Sequence, residues 1–182
     1  HDIDVVVELI GGVEVARDLI LKAIKNKKHV VTANKAVIYH HGDEIFQSAK
    51  DYGVRVLFES SVCAGTPIIK LLKEELAANK VSKISGMLNG TSNFILSNME
   101  EGGDFDSTLK LAQEEGYAEP DPTFDIEGMD AAHKIGILSS LAFGTSLPPA
   151  DFHVEGITKI EKSDFYYAMD MGYTVKHLAV AK

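Results

Sequence analysis

Residues 4–32 read DVVVELIGGVEVARDLILKAIKNKKHVVT, and this stretch decides the fold. Asp4 to Ile10 is a continuous apolar, largely β-branched run, the composition of a strand in a parallel sheet covered on both faces. Gly11-Gly12 closes it. From Val13 to Lys25 apolar residues recur at helical spacing (Val13, Ala16, Leu19, Ile20, Ala23, Ile24), which predicts an amphipathic helix. Lys28 to Thr32 is a second short strand. His41 to Tyr52 then reads as a helix ending at Gly53, and Val54 to Phe58 (VRVLF) as a third strand. Strand, helix, strand, helix and strand with short links predict right-handed crossovers and a parallel sheet.

Downstream the pattern changes. Thr66 and Pro67 are placed as N-cap and first residue of a helix running to about Ala78. Val81–Leu88 reads as strand, Thr91–Met99 as helix, and Asp106 as the cap of a helix ending at Gly116. Tyr117 to Asp125 (YAEPDPTFD) holds two prolines and acidic turn residues, so no helix is expected there. Met129–Phe143 is apolar nearly all round and should be a buried helix. His153–Ile160 and Tyr173–Val180 read as strands and Asp164–Asp170 as helix. The expected class is α/β: a partial doubly wound parallel sheet of Rossmann type in residues 1–59, followed by an α+β domain in residues 60–182.

The net charge of −9 argues against nucleic acid and anionic membrane surfaces, since both need clustered Lys and Arg. No apolar run approaches the roughly 20 residues needed to span a bilayer. The lone Cys63 excludes an internal disulfide framework and fits a reducing, cytoplasmic setting. The chain opens at His1 without Met and runs almost at once into a buried-type strand, as a piece of a longer protein would.

Four stretches can carry chemistry. Thr32-Ala33-Asn34-Lys35 lies at the carboxyl end of a presumed parallel strand, where open α/β sheets bind ligands. Its hydroxyl, amide and ammonium suit ribose, phosphate or carboxylate groups; equally, Asn34 can simply shape a turn. Glu59–Pro67 (ESSVCAGTP) is a glycine-containing turn whose carbonyls can hold a monovalent cation or water. Cys63 there has no suitably placed His and is read as structural rather than nucleophilic. In Gly86–Asn93 (GMLNGTSN) the residues Asn89, Thr91, Ser92 and Asn93 suit turn and capping roles, with a substrate-facing role the weaker alternative. Tyr117–Lys134 is the densest: Glu119, Asp121, Asp125 and Asp130 precede Lys134, which shares a helical face with Asp130. An ammonium on a mostly apolar helix must be paired or used. Spacing alone does not separate catalysis from a helix-end salt bridge. His40-His41 offers no metal-ligand spacing.

In this order, ELIGG, TANKA, ESSVCAGTPII, GMLNGTSNFIL and GYAEPDPTFDIEGMDAAHKIGIL resemble the motifs of the homoserine dehydrogenase family, across Glu8 to Leu138. The resemblance implies an enzyme interconverting L-homoserine and L-aspartate 4-semialdehyde with NAD or NADP, on the route to threonine and methionine. It implies Lys134 as general acid/base, with Asp130 orienting it and Lys35 near cofactor and substrate. Glu119 and Asp125 would bind substrate, and Thr32, Asn34, Lys35 and Gly65 would line the cofactor cleft. Backbone carbonyls of Glu59, Val62, Ala64 and Thr66 would match a sodium site, and the second domain would form a homodimer. The family's glycine-rich phosphate-binding turn is not in this sequence, so the chain alone is expected to be inactive. The rivals are a dehydrogenase using Cys63, such as an aspartate-semialdehyde dehydrogenase, and a non-catalytic dimerising or amino-acid-sensing domain.

Overall fold

The computed structural model describes residues 2–149 and 152–182. They form two compact units: residues 2–84, 133–149, 152 and 182, and residues 85–132 with 153–181.

The first unit is built on three parallel strands, β1 (Val5–Glu8), β2 (His29–Thr32) and β3 (Val56–Leu57), in that spatial order. Helix α1 (Glu14–Lys25) joins β1 to β2, and α2 (Lys35–Tyr52) joins β2 to β3. Two right-handed crossovers stepping the same way place both helices on one face of the sheet. The register agrees. Val6, Val30 and Val56 are cross-strand partners facing the helices, and Val30 and Val56 are fully or nearly buried. Val7, Val31 and Leu57 form the neighbouring row on the other face, where Val7 and Leu57 are exposed. The expectation of a sheet covered on both faces is therefore met on one face only among the described residues.

Helix α2 begins six residues before the expected His41, because the Asn34 side chain caps it by accepting the Val37 N–H at 3.1 Å. His41 itself has non-helical dihedrals and marks a kink. Arg17 on α1 forks onto Glu44 on α2 at 2.7 and 2.8 Å, and those hydrogen bonds hold the Glu44 carboxyl below its ordinary range. The expected helix from Thr66 is instead a short α3 (Ile68–Lys70) passing into a π turn at Leu71–Glu75. Thr66 does not cap it. The Glu59 carboxylate does, accepting the N–H groups of Ile69 and Lys70 at 2.8 and 3.0 Å from ten residues upstream.

The second unit holds α4 (Gly90–Glu100), α5 (Phe105–Glu114), α6 (Thr123–Ile126), the start of α7 (Met129–Phe143) and α8 (Lys162–Asp170). Its small sheet pairs β4 (Ile84–Gly86) with β5 (Ala179–Ala181), both shorter than expected. Ile95, Leu96, Met99, Ala112, Ile157 and Phe165 make its core. Asp104, not Asp106, caps α5 through the Ser107 N–H. A turn of helix, α6, starts within the stretch expected to be non-helical. The prolines end at Pro122, and the Asp121 carboxylate takes the N–H and hydroxyl of Thr123. No strand forms over 153–160; the Ile157 N–H instead bonds the Ile126 carbonyl on α6 at 2.8 Å.

That contact seats Gly156 directly on the backbone of α6. A Cβ there would overlap the Ile126 carbonyl oxygen and stand 2.5 Å from the Glu127 Cα. Backbone cannot swing aside as a side chain does, so Gly156→Ala should cost about 3 kcal/mol, the upper end of overpacking penalties. Urea unfolding of the two proteins measures this, and an unchanged midpoint would show that the seat is not close-packed.

Candidate active site

At the carboxyl ends of β1 and β2, Glu8 and Thr32 are cross-strand partners and both are buried. The sequence reading placed Glu8 only within a motif, yet it anchors the cluster. Its carboxylate accepts the Thr32 hydroxyl at 2.6 Å and the Ile10 N–H at 2.9 Å. Thr32 Oγ1 in turn accepts the Asn34 N–H at 2.9 Å. The Asn34 amide donates to the Gly12 carbonyl at 2.7 Å while its oxygen caps α2. The chain thus closes a loop from Gly11-Gly12 to Asn34, with both glycines in left-handed conformation and open space where their Cβ atoms would sit. Such a turn lets backbone approach a ligand closely. Thr32 and Asn34 therefore spend their side chains on shaping this loop. Lys35, half-buried, is the first residue of α2.

The turn after β3 carries Cys63 and Gly65 at positive φ, 51° and 87°. The carbonyl of Glu59 accepts the Val62 N–H at 3.4 Å and that of Thr66 the Ile68 N–H at 2.8 Å. The Val62 and Ala64 carbonyls take no backbone hydrogen bond among the described residues. All four carbonyls thus keep at least one lone pair, the minimum for an oxygen ligand to a cation. No group of three or more His, Cys, Asp or Glu side chains among the described residues could hold a metal ion.

The second unit brings Asp125 and Asp130 together. The Asn89 amide nitrogen donates to Asp125 Oδ1 at 2.7 Å and to Asp130 Oδ2 at 2.8 Å. Thr91 Oγ1 contacts Asp125 Oδ2 at 3.2 Å and the Tyr117 carbonyl at 2.7 Å, and Ser92 Oγ lies 3.1 Å from the Asp125 carbonyl. Asn89, Thr91, Ser92 and Asp130 are all buried. Two carboxylates that share one donor nitrogen repel each other. Shared amide and hydroxyl donors offset that, as does the position of Asp130 in the first turn of α7, where the helix dipole favours an anion. Sequence spacing had paired Asp130 with Lys134 and left Asn89 and Thr91 as caps. Asn89 is indeed a cap, accepting the Ser92 N–H at 2.7 Å, but it also bridges the acids.

Lys134 is half-buried one turn beyond Asp130 on α7. His133, just before it, is buried and stacks on Tyr39 with centroids 3.9 Å apart. Burial pushes the Tyr39 hydroxyl above its ordinary value. Glu119 is exposed, its carbonyl accepting the Gln113 amide at 3.2 Å.

Residues 1–59 match the family model described as homoserine dehydrogenase, NAD binding domain, and residues 67–181 match the one described as homoserine dehydrogenase. The homoserine dehydrogenase of Pseudomonas aeruginosa is 55% identical over the whole chain, and that of Bacillus subtilis 43%. The chain spans 42% of the length of each. Among solved structures, a homoserine dehydrogenase from Thiobacillus denitrificans superposes with a TM-score of 0.96 at 53% identity, over 100% of this chain and 42% of that one. A hyperthermophilic archaeal homoserine dehydrogenase in complex with NADPH gives 0.87 at 31% identity, over 98% of this chain and 52% of that one. The fold is the one these structures share, and residues 4–57 build it on a parallel three-stranded sheet. The chain belongs to the homoserine dehydrogenase family.

Thr32 tests the strand-end cluster. Thr32→Val keeps the shape but removes the hydroxyl that Glu8 and Asn34 share. It should destabilise the protein by about 1–3 kcal/mol, the cost of leaving a buried acceptor unmet. Thr32→Ser should recover most of that. Thermal unfolding of both variants checks it, and equal midpoints would remove Glu8 from its anchoring role.

Proposed function

We propose that this chain forms part of an NAD(P)-dependent oxidoreductase interconverting L-homoserine and L-aspartate 4-semialdehyde, in threonine and methionine biosynthesis. The observation that carries the reading is the match of two consecutive family models, one for the cofactor domain and one for the catalytic domain. The boundary near residue 60, between a cofactor-binding 1–59 and a catalytic 60–182, follows the same division.

A nicotinamide cofactor, which residues 1–59 would hold, would supply the hydride chemistry. Lys134 gives a proton to the substrate carbonyl oxygen in one direction and removes it from the alcohol in the other, as general acid and base. Asp130, one turn earlier on α7, orients the ammonium. Glu119 and Asp125 attract the amino group of the substrate, and Lys35 lies toward cofactor and substrate. Gly65 and the loop shaped by Thr32 and Asn34 line the cofactor cleft. The carbonyls of Glu59, Val62, Ala64 and Thr66 would hold sodium. Cys63 has no catalytic part in this scheme. A cytoplasmic location fits the single free cysteine, and no helix among the described residues is long and apolar enough to cross a membrane.

In the full-length protein carrying this chain, Lys134→Ala should lower kcat for homoserine oxidation by roughly 10²–10⁴-fold while the homoserine KM changes little. Steady-state kinetics with NAD and NADP measure this; near-parental turnover rejects the acid/base role. Absence of any homoserine turnover by the unmodified protein, with homoserine still bound tightly, would favour a sensing domain instead.

We infer further that the small β4–β5 sheet forms a homodimer interface. Met87, Leu178 and Val180, in or beside these strands, are exposed apolar side chains of the kind an interface covers. Sedimentation equilibrium should return the dimer mass. Monomer mass across a wide concentration range counts against it.

A further inference from the structure

We propose that Asn89 is a positioning residue of the reaction, its amide setting the spacing and direction of the Asp125 and Asp130 carboxylates; this rests on the dehydrogenase reading above. The side chain is buried, and all of its hydrogen-bonding groups are assigned. Oδ1 accepts the Ser92 N–H at 2.7 Å, while Nδ2 donates to Asp125 at 2.7 Å and Asp130 at 2.8 Å. The cap fixes the amide plane, and the plane fixes where its two N–H groups point. Two acids from different elements, α6 and α7, are thereby referred to one rigid group at the head of α4. Thr91 Oγ1 on α4 lies 3.2 Å from the other Asp125 oxygen and 2.7 Å from the Tyr117 carbonyl.

The choice of an amide has a chemical consequence. A lysine or arginine here would neutralise the pair, leaving less negative charge to attract an ammonium-bearing substrate. A neutral donor orders both anions without adding a charge of its own. The residue reaches the reaction only through the acids it holds.

The cap and the bridge can be separated. Asn89→Asp has the same shape and keeps an acceptor for the Ser92 N–H, since Asp caps helices as well as Asn. It replaces both donors with oxygen lone pairs. Asn89→Ser keeps a cap and one hydroxyl donor.

The experiment is steady-state kinetics of the full-length protein and both variants with homoserine and NAD(P), alongside circular dichroism and thermal unfolding. Asn89→Asp should lose roughly 10²-fold in kcat/KM for homoserine, the scale of a misplaced reacting geometry, with the cofactor KM unchanged. Asn89→Ser should lose less. Folded Asn89→Asp with parental kcat and homoserine KM would overturn the proposal, leaving Asn89 a cap alone. If Asn89→Asp does not fold, Asn89→Ser decides, because parental values there would equally overturn it. Lack of homoserine turnover by the unmodified protein would sink the dehydrogenase reading and this role with it, a result distinct from a silent Asn89 in a working enzyme.

Discussion

A carboxylate taken out of water must be met by donors, and both units of this protein are organised by that requirement. Glu8 is buried at the end of a strand, held by the Thr32 hydroxyl and the Ile10 N–H. Asp130 is buried at the start of a helix, held with Asp125 by the Asn89 amide. In neither cluster do these hydrogen bonds come from a cation. Neutral donors order the anions by direction, and the elements that supply them are thereby tied together. β1 is joined to β2 in one unit, and α4 to α6 and α7 in the other.

This explains why polar residues at the ends of elements carry so much of the design. Thr32, Asn34, Asn89 and Thr91 each make two or more bonds, at least one of them to a segment distant in sequence. Removing Asn89 would leave a buried acceptor unmet and a cap lost at once, so local and tertiary order would fail together there. Glu59 works the same way in the turn after β3, where a residue ten positions upstream starts a helix that its own first residues do not cap.

Much of the first unit was legible. The β-branched run at Asp4–Ile10, the helical spacing of Val13–Lys25 and the turn at Gly53 place elements that the sheet then joins in parallel, because short crossovers allow little else. The all-round apolar α7 was legible as well, with the same bounds. Local misreadings fell at helix starts: Asn34 extends α2 backward, Asp104 rather than Asp106 opens α5, and α6 forms just after two prolines. Residues 153–160 lack strand structure because their backbone bonds to α6, which no periodicity can reveal.

Thus the sequence by itself determined the element types of residues 4–57 and of α7, the parallel order and, through five motifs in register, the family. Those are properties of spacing and composition along the chain. Only the tertiary structure decided which face of the sheet is covered and which residue bridges Asp125 and Asp130. It also decided that Thr32 and Asn34 turn their side chains inward. The physical reason is that a hydrogen bond depends on direction in space, and residues 36 or 41 positions apart acquire a common direction only once the elements carrying them have packed.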